Sequence, residues 1–348
     1  MSLADSVWIL ILLFAFFWAH YPVVGLLRSF QIMDHPNERS SHAIGTVRGG
    51  GVLFSSVTSI VAIVTGLWKE DPTCLRLGCC SILVLVVSLV DDIKSVRASR
   101  RLLVHLVAAG IFSFYTLQDE MRMVHAPFEW WAFILLGIVC VAFIAGCTNA
   151  FNFMDGINGL AASQGIFNTL AFSLVYFSGG QGIGQGALLA IGTLGLGCLA
   201  FLPHNFPQAR VFMGDVGSAY IGFIVGCYVV WIYLALGWGL ALVILLMNAN
   251  FLLDTGITLL RRVLRGDRWH EAHREHFYQR LVRSGSSHVW GTGCEAFLQL
   301  LSLIYLYWLV TMSGSPGAGD VAFVCTGWLV FFCYCEFSFW RAEKKTAH

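Results

Sequence analysis

Apolar residues run almost uninterrupted along the chain and are broken at short intervals by clusters of polar residues. A helix that crosses a bilayer needs about 20 predominantly apolar residues. Eleven stretches come close to this length, at residues 7–27, 50–68, 74–90, 102–117, 130–148, 159–177, 184–202, 216–234, 238–260, 294–312 and 321–340. The pattern predicts an all-α, polytopic integral membrane helix bundle with about 11 transmembrane helices, forming a single domain over residues 1–348.

The positively charged residues indicate how this bundle is oriented. If the eleven stretches cross alternately, every Lys and Arg except Lys69, Arg76 and Arg122 falls on one side. Because cytoplasmic loops carry the excess of Lys and Arg, we expect that side to be cytoplasmic. The N-terminus would then lie outside and the C-terminus inside a bacterial inner membrane. Stretch 7–27 is expected to be a retained span, since Asp5 stands where a signal peptide carries basic residues.

Composition excludes several classes of protein. The chain is 57% hydrophobic and only 12% charged, about half the charged fraction of a soluble domain. A soluble single-domain enzyme is therefore excluded. The net charge of +1 gives no basic surface for nucleic acid. The 11 cysteines show no zinc-site or disulfide spacing, so we expect them to be small buried hydrophobic residues.

Two aspartates end the third apolar stretch, in SLVDDIKSVRASRR. Carboxylates at the membrane boundary are costly unless they are paired, hydrated or bound to a cation, so Asp91 and Asp92 are candidates for function. The alternative is an ion-pair cluster with the basic residues that follow. Neighbouring residues of a helix point about 100° apart, so the two carboxylates are not expected to serve one ligand identically.

Amide and carboxylate side chains recur every three residues in CTNAFNFMDGINGLAASQ, which begins where an apolar stretch ends. These are Asn149, Asn152, Asp155 and Asn158. Their oxygen atoms suit a hard cation, and the neighbouring glycines allow phosphate or a nucleobase edge to approach the backbone. The alternative is an Asn/Gly-rich turn, but polar residues this dense between two spans favour a site.

A further aspartate, Asp215, stands at the start of an apolar stretch in FLPHNFPQARVFMGDVGSAYIGF, with His204, Asn205 and Arg210 upstream. An aspartate at a helix start is often only an N-cap. Asp215 falls on the same predicted face as the other acidic candidates, which favours metal binding over capping alone.

Two loops on that face carry basic residues. In RRVLRGDRWHEAHREHFYQRLVRSG, His270, His273 and His276 recur among arginines, which favour an anion such as phosphate over zinc. Adhesion to anionic lipid is the alternative. The second loop, DHPNERSSHAIGTVRGGG, offers Arg39, Ser40, His42, Arg48 and the consecutive glycines Gly49, Gly50 and Gly51. It is a weaker phosphate-binding signal because the P-loop pattern is missing.

One membrane face thus combines oxygen ligands for Mg²⁺ with basic loops for phosphates, which indicates phosphoryl transfer. A transporter would place its polar groups near the midplane and show a repeat, and no repeat is present. A lipid-binding protein would not need Asp215 for turnover. A haem or redox protein would need histidines in paired spans, where only His20 and His105 stand.

The motifs LVDDIKS, NAFNFMDGINGL, PQARVFMGDVGS, LLDTGITLLRR and HREHFYQRL resemble, in order and spacing, those of the polyprenyl-phosphate N-acetylhexosamine-1-phosphate transferases, or glycosyltransferase family 4. The resemblance covers about residues 34–285. HREHFYQRL resembles the bacterial branch that initiates O-antigen, a component of lipopolysaccharide, or related polysaccharides. The resemblance implies transfer of a sugar 1-phosphate from a UDP-sugar to undecaprenyl phosphate with release of UMP. It also implies Mg²⁺, with Mn²⁺ as a substitute, and allows a homodimer.

The resemblance implies catalytic roles for Asp91, Asp92, Asp215 and His276, and Mg²⁺ binding by Asp215 and Asn152. Asp91 and Asp92 would position or deprotonate the lipid phosphate. With the loop residues above, the expected substrate-binding residues are Arg39, His42, Arg48, Asn149, Asp155, Asn158, Asn205, Phe212, His273, Arg274 and His276. Asn158 is an amide where the family commonly has a carboxylate. Asp254 matches a family position without an assigned role.

The mechanism stays open between direct attack and a covalent aspartyl-phosphate. A phosphate monoester has its second pKa near 6, so the lipid acceptor is mostly a dianion at neutral pH. A strong general base is hardly needed, which favours direct attack. The sequence does not identify the sugar or the glycan pathway.

Overall fold

The structure of the protein is a computed structural model that describes residues 3–34, 45–124, 129–267 and 273–346. Within these ranges the chain is almost entirely helical: α1 (Leu3–Ser29), α2 (Val52–Trp68), α3 (Pro72–Ile93), α4 (Ala98–Val124), α5 (Trp130–Phe153), α6 (Leu160–Phe177), α7 (Gly184–Asn205), α8 (Asp215–Leu236), α9 (Trp238–Met247), α10 (Ala249–Leu264), α11 (Phe277–Arg283), α12 (His288–Ser313) and α13 (Ala318–Thr346). A 3₁₀ turn (Gly180–Ile183) precedes α7, and β1 (Met33–Asp34) pairs antiparallel with β2 (Thr46–Val47).

The prediction of an all-α polytopic membrane protein is confirmed. In the described ranges, nine helices are long and apolar enough to cross a membrane, and the bent pair α9 and α10 would make ten. Each predicted stretch corresponds to a helix or to that pair. Two stretches differ from a straight full-length span: α2 is a shorter apolar helix of 17 residues, and stretch 238–260 is not one straight helix.

Helix α8 is the centre of the bundle and packs against α2, α3, α4 and α5. Its contact with α5 depends on two glycines one turn apart. A Cβ atom on Gly222 would lie 2.5 Å from the carbonyl oxygen of Cys147, and one on Gly226 would lie 3.0 Å from Cα of Ile144. Small residues at this spacing let membrane helices approach closely. The approach brings the C-terminal end of α5 beside the N-terminal end of α8.

The predicted ninth span is broken. Helices α9 and α10 meet at Asn248 with a bend of 72°. A bend of this size leaves backbone carbonyl groups without their helical partners, and in a membrane other protein groups must satisfy them. Here the side chain of Asn248 donates to the carbonyl oxygen of Ile244 at 2.8 Å, and Gln164 donates to that of Met247 at 2.8 Å.

The segment of three glycines, Gly49 to Gly51, packs against the residues that precede α8. The N–H groups of Gly50 and Gly51 donate to the carbonyl oxygens of Phe212 and Met213 at 2.9 and 2.8 Å. The sequence suggested a loop that cradles phosphate, but these two N–H groups already have backbone partners. The segment instead fixes the start of α8 through backbone pairing.

We expect Gly51→Ala to destabilise the protein by about 1–3 kcal/mol. A Cβ atom there would lie 2.3 Å from Cα of Gly217, and neither backbone can move away. Gly256→Ala in α10 is the matched control, since no atom lies within 4 Å of its Cβ position and alanine favours helix. Thermal unfolding in detergent checks both, and equal melting temperatures for the two variants would contradict the packing argument.

Candidate active site

Asp92, in the last turn of α3, caps the N-terminus of α8. Its two carboxylate oxygens accept the backbone N–H groups of Asp215 and Val216, each at 3.0 Å. Gly214, with φ at +75°, allows this approach because a Cβ atom there would lie 2.4 Å from the Asp92 carboxylate. A carboxylate at a helix N-terminus satisfies the free N–H groups and interacts favourably with the helix dipole. The side chain of Asp92 is fully buried.

Two arginines pair with the acidic residues at this point. Arg48 contacts Asp92 Oδ1 through Nε at 2.7 Å and Asp215 Oδ1 through Nη2 at 2.5 Å. Burial disfavours the charged form of Arg48, but the adjacent carboxylates raise its pKa above the ordinary value. Arg101, in the first turn of α4, bridges Asp91 and the second carboxylate oxygen of Asp215. The carboxylate of Asp215 is thus held from both sides by guanidinium groups.

Asp91 and Asp92 have different surroundings, as their adjacent positions on a helix predict. Asp91 pairs with Arg101 at 2.5 Å and accepts the N–H of Val96 at 2.7 Å, and its side chain is 9% exposed. Asp92 is enclosed by Arg48 and the start of α8. The geometry gives Asp92 a positioning role, whereas Asp91 is the carboxylate nearer to solvent. Their contact with an acceptor stays a prediction.

The C-terminal end of α5 adds polar groups to Asp215. Asn152 donates to Asp215 Oδ2 at 3.0 Å and accepts from the hydroxyl of Ser218 at 3.0 Å. Asp155 follows in the loop after α5, and no hydrogen-bond or ion-pair partner of its carboxylate lies within the described ranges. Burial and then the charge of Asp215 raise the pKa of Asp155 well above its ordinary value. When Asp91, Asp92, Asp155 and Asp215 are all ionised, they outnumber the two arginines, Arg48 and Arg101.

Three of the predicted substrate-binding residues, Asn158, Asn205 and Phe212, lie around the next loop. Asn205 is buried, accepts the N–H of Gly159 at 2.5 Å and donates to the carbonyl oxygen of Val211 at 2.9 Å. Asn158 donates to the carbonyl oxygen of Pro207 at 3.1 Å. Asn205 thus ties two loops together, while Asn158 lies closer to the surface. The backbone of Phe212 pairs with Val47. Substrate contacts of these side chains stay predictions.

Four further predicted substrate-binding residues are Asn149 in α5 and Arg274, Arg39 and His42 in the two basic loops. Asn149 donates to the carbonyl oxygen of Ala145 within α5 at 2.7 Å. Arg274 is partly buried beside His273 at the edge of the same face. Arg39 and His42 lie outside the residues that the structure describes.

A second cluster forms where α11 begins. The rings of His273 and His276 are 4.9 Å apart, and both lie against Phe153 at the end of α5. His276 is buried, with Nδ1 2.9 Å from Asp254 Oδ1. Burial, then the charges of His276 and Arg262, lower the pKa of His273 to about 4, so His273 is neutral at pH 7.

Asp254 is the residue that positions this second cluster. It is fully buried in α10 and, besides contacting His276, accepts the backbone N–H of Phe277 at 2.9 Å. It therefore fixes both the imidazole and the start of α11. Because Nδ1 of His276 contacts Asp254, Nε2 is the ring nitrogen that can face another group. Glu275, which precedes His276 in the chain, pairs with Arg262 and Arg265. These two arginines are therefore already engaged by a carboxylate.

Comparison with known proteins agrees with this arrangement. The model of glycosyl transferase family 4 matches residues 74–233, a range that includes Asp91, Asp92, Asn152 and Asp215. The chain is thus similar to this family over somewhat less than half of its length. It is 28% identical over 264 residues to the probable undecaprenyl-phosphate N-acetylglucosaminyl 1-phosphate transferase of Bacillus subtilis, covering 74% of this chain and 71% of that protein.

Two further relatives have similar names. A decaprenyl-phosphate N-acetylglucosaminephosphotransferase of Mycolicibacterium smegmatis is 27% identical over 292 residues, covering 74% of this chain and 70% of the relative. A phospho-N-acetylmuramoyl-pentapeptide-transferase of Chlamydia trachomatis is 34% identical over 106 residues, or 30% of this chain and 32% of that one. The likeness to the third relative is thus confined to about a third of each chain.

Sequence reasoning did not assign a role to three residues of this candidate site. Arg101 was one of several basic residues after Asp92, and only its position in the first turn of α4 distinguishes it. Ser218 stands three residues after Asp215, the spacing that puts two side chains on one helix face. Asp254 was noticed but had no role, although an ionisable residue within an apolar stretch is itself a signal of function.

In the absence of any substrate, we expect Asp92→Asn to destabilise the protein more than Asp91→Asn. The first change removes a buried charge from Arg48 and from the start of α8, at a cost of about 3 kcal/mol. The second leaves Arg101 paired with Asp215. Thermal unfolding of both variants in detergent gives the order, and an equal loss would refute the different roles assigned to the two aspartates.

The low pKa of His273 predicts a pH dependence of stability. Unfolded histidine binds a proton below about pH 6.5, whereas folded His273 binds one only near pH 4. Stability should therefore fall as the pH drops from about 6.5 towards 4. We expect the melting temperature of His273→Gln to fall less between pH 7 and pH 5 than that of the unmodified protein, and parallel curves would argue against a neutral His273.

Proposed function

We propose that this membrane enzyme transfers an N-acetylhexosamine 1-phosphate from a UDP-sugar to undecaprenyl phosphate, releasing UMP and forming undecaprenyl-diphospho-sugar. One observation carries the proposal. Asp215 at the start of α8 lies together with three further carboxylates, two arginines and the amide of Asn152, and the histidine cluster lies beside them at the same end of α5. The names of the relatives support this reaction class. The product would start O-antigen or a related envelope polysaccharide.

The donor set fits Mg²⁺, with Mn²⁺ as a substitute. Four carboxylates face two guanidinium groups: those of Asp91, Asp92, Asp155 and Asp215 against those of Arg48 and Arg101. One divalent cation would balance this excess of negative charge. Mg²⁺ prefers oxygen ligands and is usually held by one or two carboxylates together with substrate phosphates. In the described ranges no three His, Cys, Asp or Glu side chains form a complete metal site, so the substrate phosphates would supply ligands besides Asp215 and Asn152.

In this proposal Asp215 and Asn152 hold the ion, and Asp155 lies beside them. When bound, Mg²⁺ would neutralise phosphate oxygens of the donor. Arg48 and Arg101 keep the Asp215 carboxylate in one orientation, because each arginine contacts a different oxygen of it. Hydrogen bonding to Ser218 does the same for Asn152.

The second cluster would hold the sugar-phosphate end of the donor. Arg274, His273 and His276 supply donors, and Asp254 orients the ring of His276. Phe153 packs against both histidines while its neighbour Asn152 contacts Asp215. A UDP-sugar diphosphate bound along this end of α5 would therefore contact both clusters, with the uridine near Asn158 and Phe212.

The lipid phosphate would attack the β-phosphorus of the donor directly. The new bond joins an acceptor phosphate oxygen to that phosphorus, and UMP leaves. Asp91 is better placed than the enclosed Asp92 to orient the acceptor, because its side chain is nearer to solvent. Labelled phosphate that accumulated on the enzyme from a UDP-sugar without lipid would contradict direct attack.

We propose that the site faces the cytoplasm of a bacterial inner membrane. The N-terminal ends of α4 and α8 and the C-terminal ends of α3 and α5 meet at the site, and this is the face to which the basic loops also belong under alternate crossing. The excess of Lys and Arg there supports the orientation. A homodimer is compatible with this arrangement.

The test is UMP release by purified protein with undecaprenyl phosphate, Mg²⁺ and a panel of UDP-N-acetylhexosamines. Asp215→Asn should lower the rate by at least about 10²-fold, because charge stabilisation at the phosphoryl group is lost. Asp119→Asn is the matched control, since this aspartate pairs with Arg76 at the other end of α4. Release that needs neither lipid nor Mg²⁺, or equal rates for the two variants, would refute the proposal.

A further inference from the structure

A buried polar cluster lies beneath the bend between α9 and α10, apart from the active site. It is formed by α6, the bend and α12, and each of its side chains is 2% exposed or less. We call it the amide cluster: Gln164, Asn168, Asn248, Asn250, Glu295 and Gln299. Uncompensated polar groups inside a membrane protein are costly, so a group of this kind needs an explanation.

Most of the N–H donors of this cluster bind backbone carbonyl oxygens at the bend or other amides of the cluster. Asn248 donates to the carbonyl oxygen of Ile244 and to Asn168 Oδ1, at 2.8 and 2.7 Å. Gln164 donates to the carbonyl oxygen of Met247 at 2.8 Å and to Asn248 Oδ1 at 3.0 Å. Both N–H groups of each amide are thus occupied, partly by carbonyl groups that the broken helix leaves open.

The amides nearest to Glu295 have their orientation fixed. Asn250 donates to Glu295 Oε2 at 2.9 Å and to Gln164 Oε1 at 3.2 Å, and Gln299 donates to the same Gln164 oxygen at 2.8 Å. Turning Asn250 over would place its oxygen against the carboxylate. Three buried oxygen atoms therefore remain without a partner: Asn250 Oδ1, Glu295 Oε1 and Gln299 Oε1.

An ionised Glu295 would have no compensating charge. No Lys or Arg in the described part of the chain pairs with it, and the charge that acts on it is that of another acid, Asp254. A water molecule would supply two donors but no charge. One carboxylate with two neutral amide oxygens matches a monovalent cation, whereas a divalent ion would leave net charge inside the bundle.

We propose that the amide cluster binds a monovalent metal cation, with Na⁺ as the first probe, through the oxygens of Glu295, Asn250 and Gln299. Broken helices of membrane proteins provide such sites because their ends expose oxygen ligands. Asn250 precedes Asp254 by one turn of α10, and Asp254 holds His276. A bound cation would therefore steady the bend that sets the position of the second active-site cluster.

The experiment is thermal unfolding of the full chain in detergent, followed by tryptophan fluorescence, while NaCl replaces N-methylglucamine chloride at constant ionic strength and pH. We expect a saturable rise in melting temperature of a few degrees, because a ligand that binds only the folded state stabilises it. Glu295→Gln should abolish the rise, since it keeps the shape of the side chain and removes the charge.

Glu336→Gln is the matched control, because this carboxylate is 40% exposed and pairs with Arg261 and Arg280 rather than with the amide cluster. It should keep the Na⁺ response. The proposal would be overturned if Glu295→Gln showed the same rise in melting temperature with Na⁺, or if the rise did not saturate. It would also be overturned if lowering the pH without Na⁺ gave the same rise. If Glu295→Gln cannot be purified, the unmodified protein is compared in Li⁺, Na⁺ and K⁺: equal shifts would overturn the proposal, and shifts that depend on ion size would support it. The readout does not involve sugar transfer.

Discussion

Charge compensation at the start of α8 is the interaction on which the active site depends. The buried carboxylate of Asp92 accepts two backbone N–H groups of that helix and pairs with Arg48, which in turn holds Asp215. A buried carboxylate without these partners would be strongly unfavourable. Because the partners come from α3, α8 and the segment before α2, the same contacts that stabilise the charges also fix the relative positions of these elements.

The end of α5 joins the two halves of the site. Consecutive residues point in different directions on a helix, so Asn152 reaches Asp215 while Phe153 packs on the two histidines. The close packing of α5 against the glycines of α8 makes this possible. On the other side of the histidines, the bend at Asn248 directs α10 so that Asp254 meets the start of α11. The site thus depends both on the bend between α9 and α10 and on the close packing of α5 against α8.

Much of the fold could be predicted because long apolar stretches have few alternatives in a membrane. Helices are the structures that satisfy their own backbone there, and each predicted stretch is helical. The break at Asn248 was missed, since asparagine within an apolar run has no unique conformational meaning. It depends on Gln164 and Asn168, which come from α6 and cannot be recognised as neighbours along the chain.

The sequence by itself determined the kind of molecule and which residues are candidates for its chemistry, because apolar length, charge distribution and motif spacing are properties of the chain. Only the tertiary structure decided how the acidic residues divide their tasks. Asp91 and Asp92 are neighbours in sequence, yet one faces Arg101 and the other is enclosed beneath α8. That difference arises because the end of α3 meets the starts of both α4 and α8. Helix packing, rather than order along the chain, decides which distant charges pair.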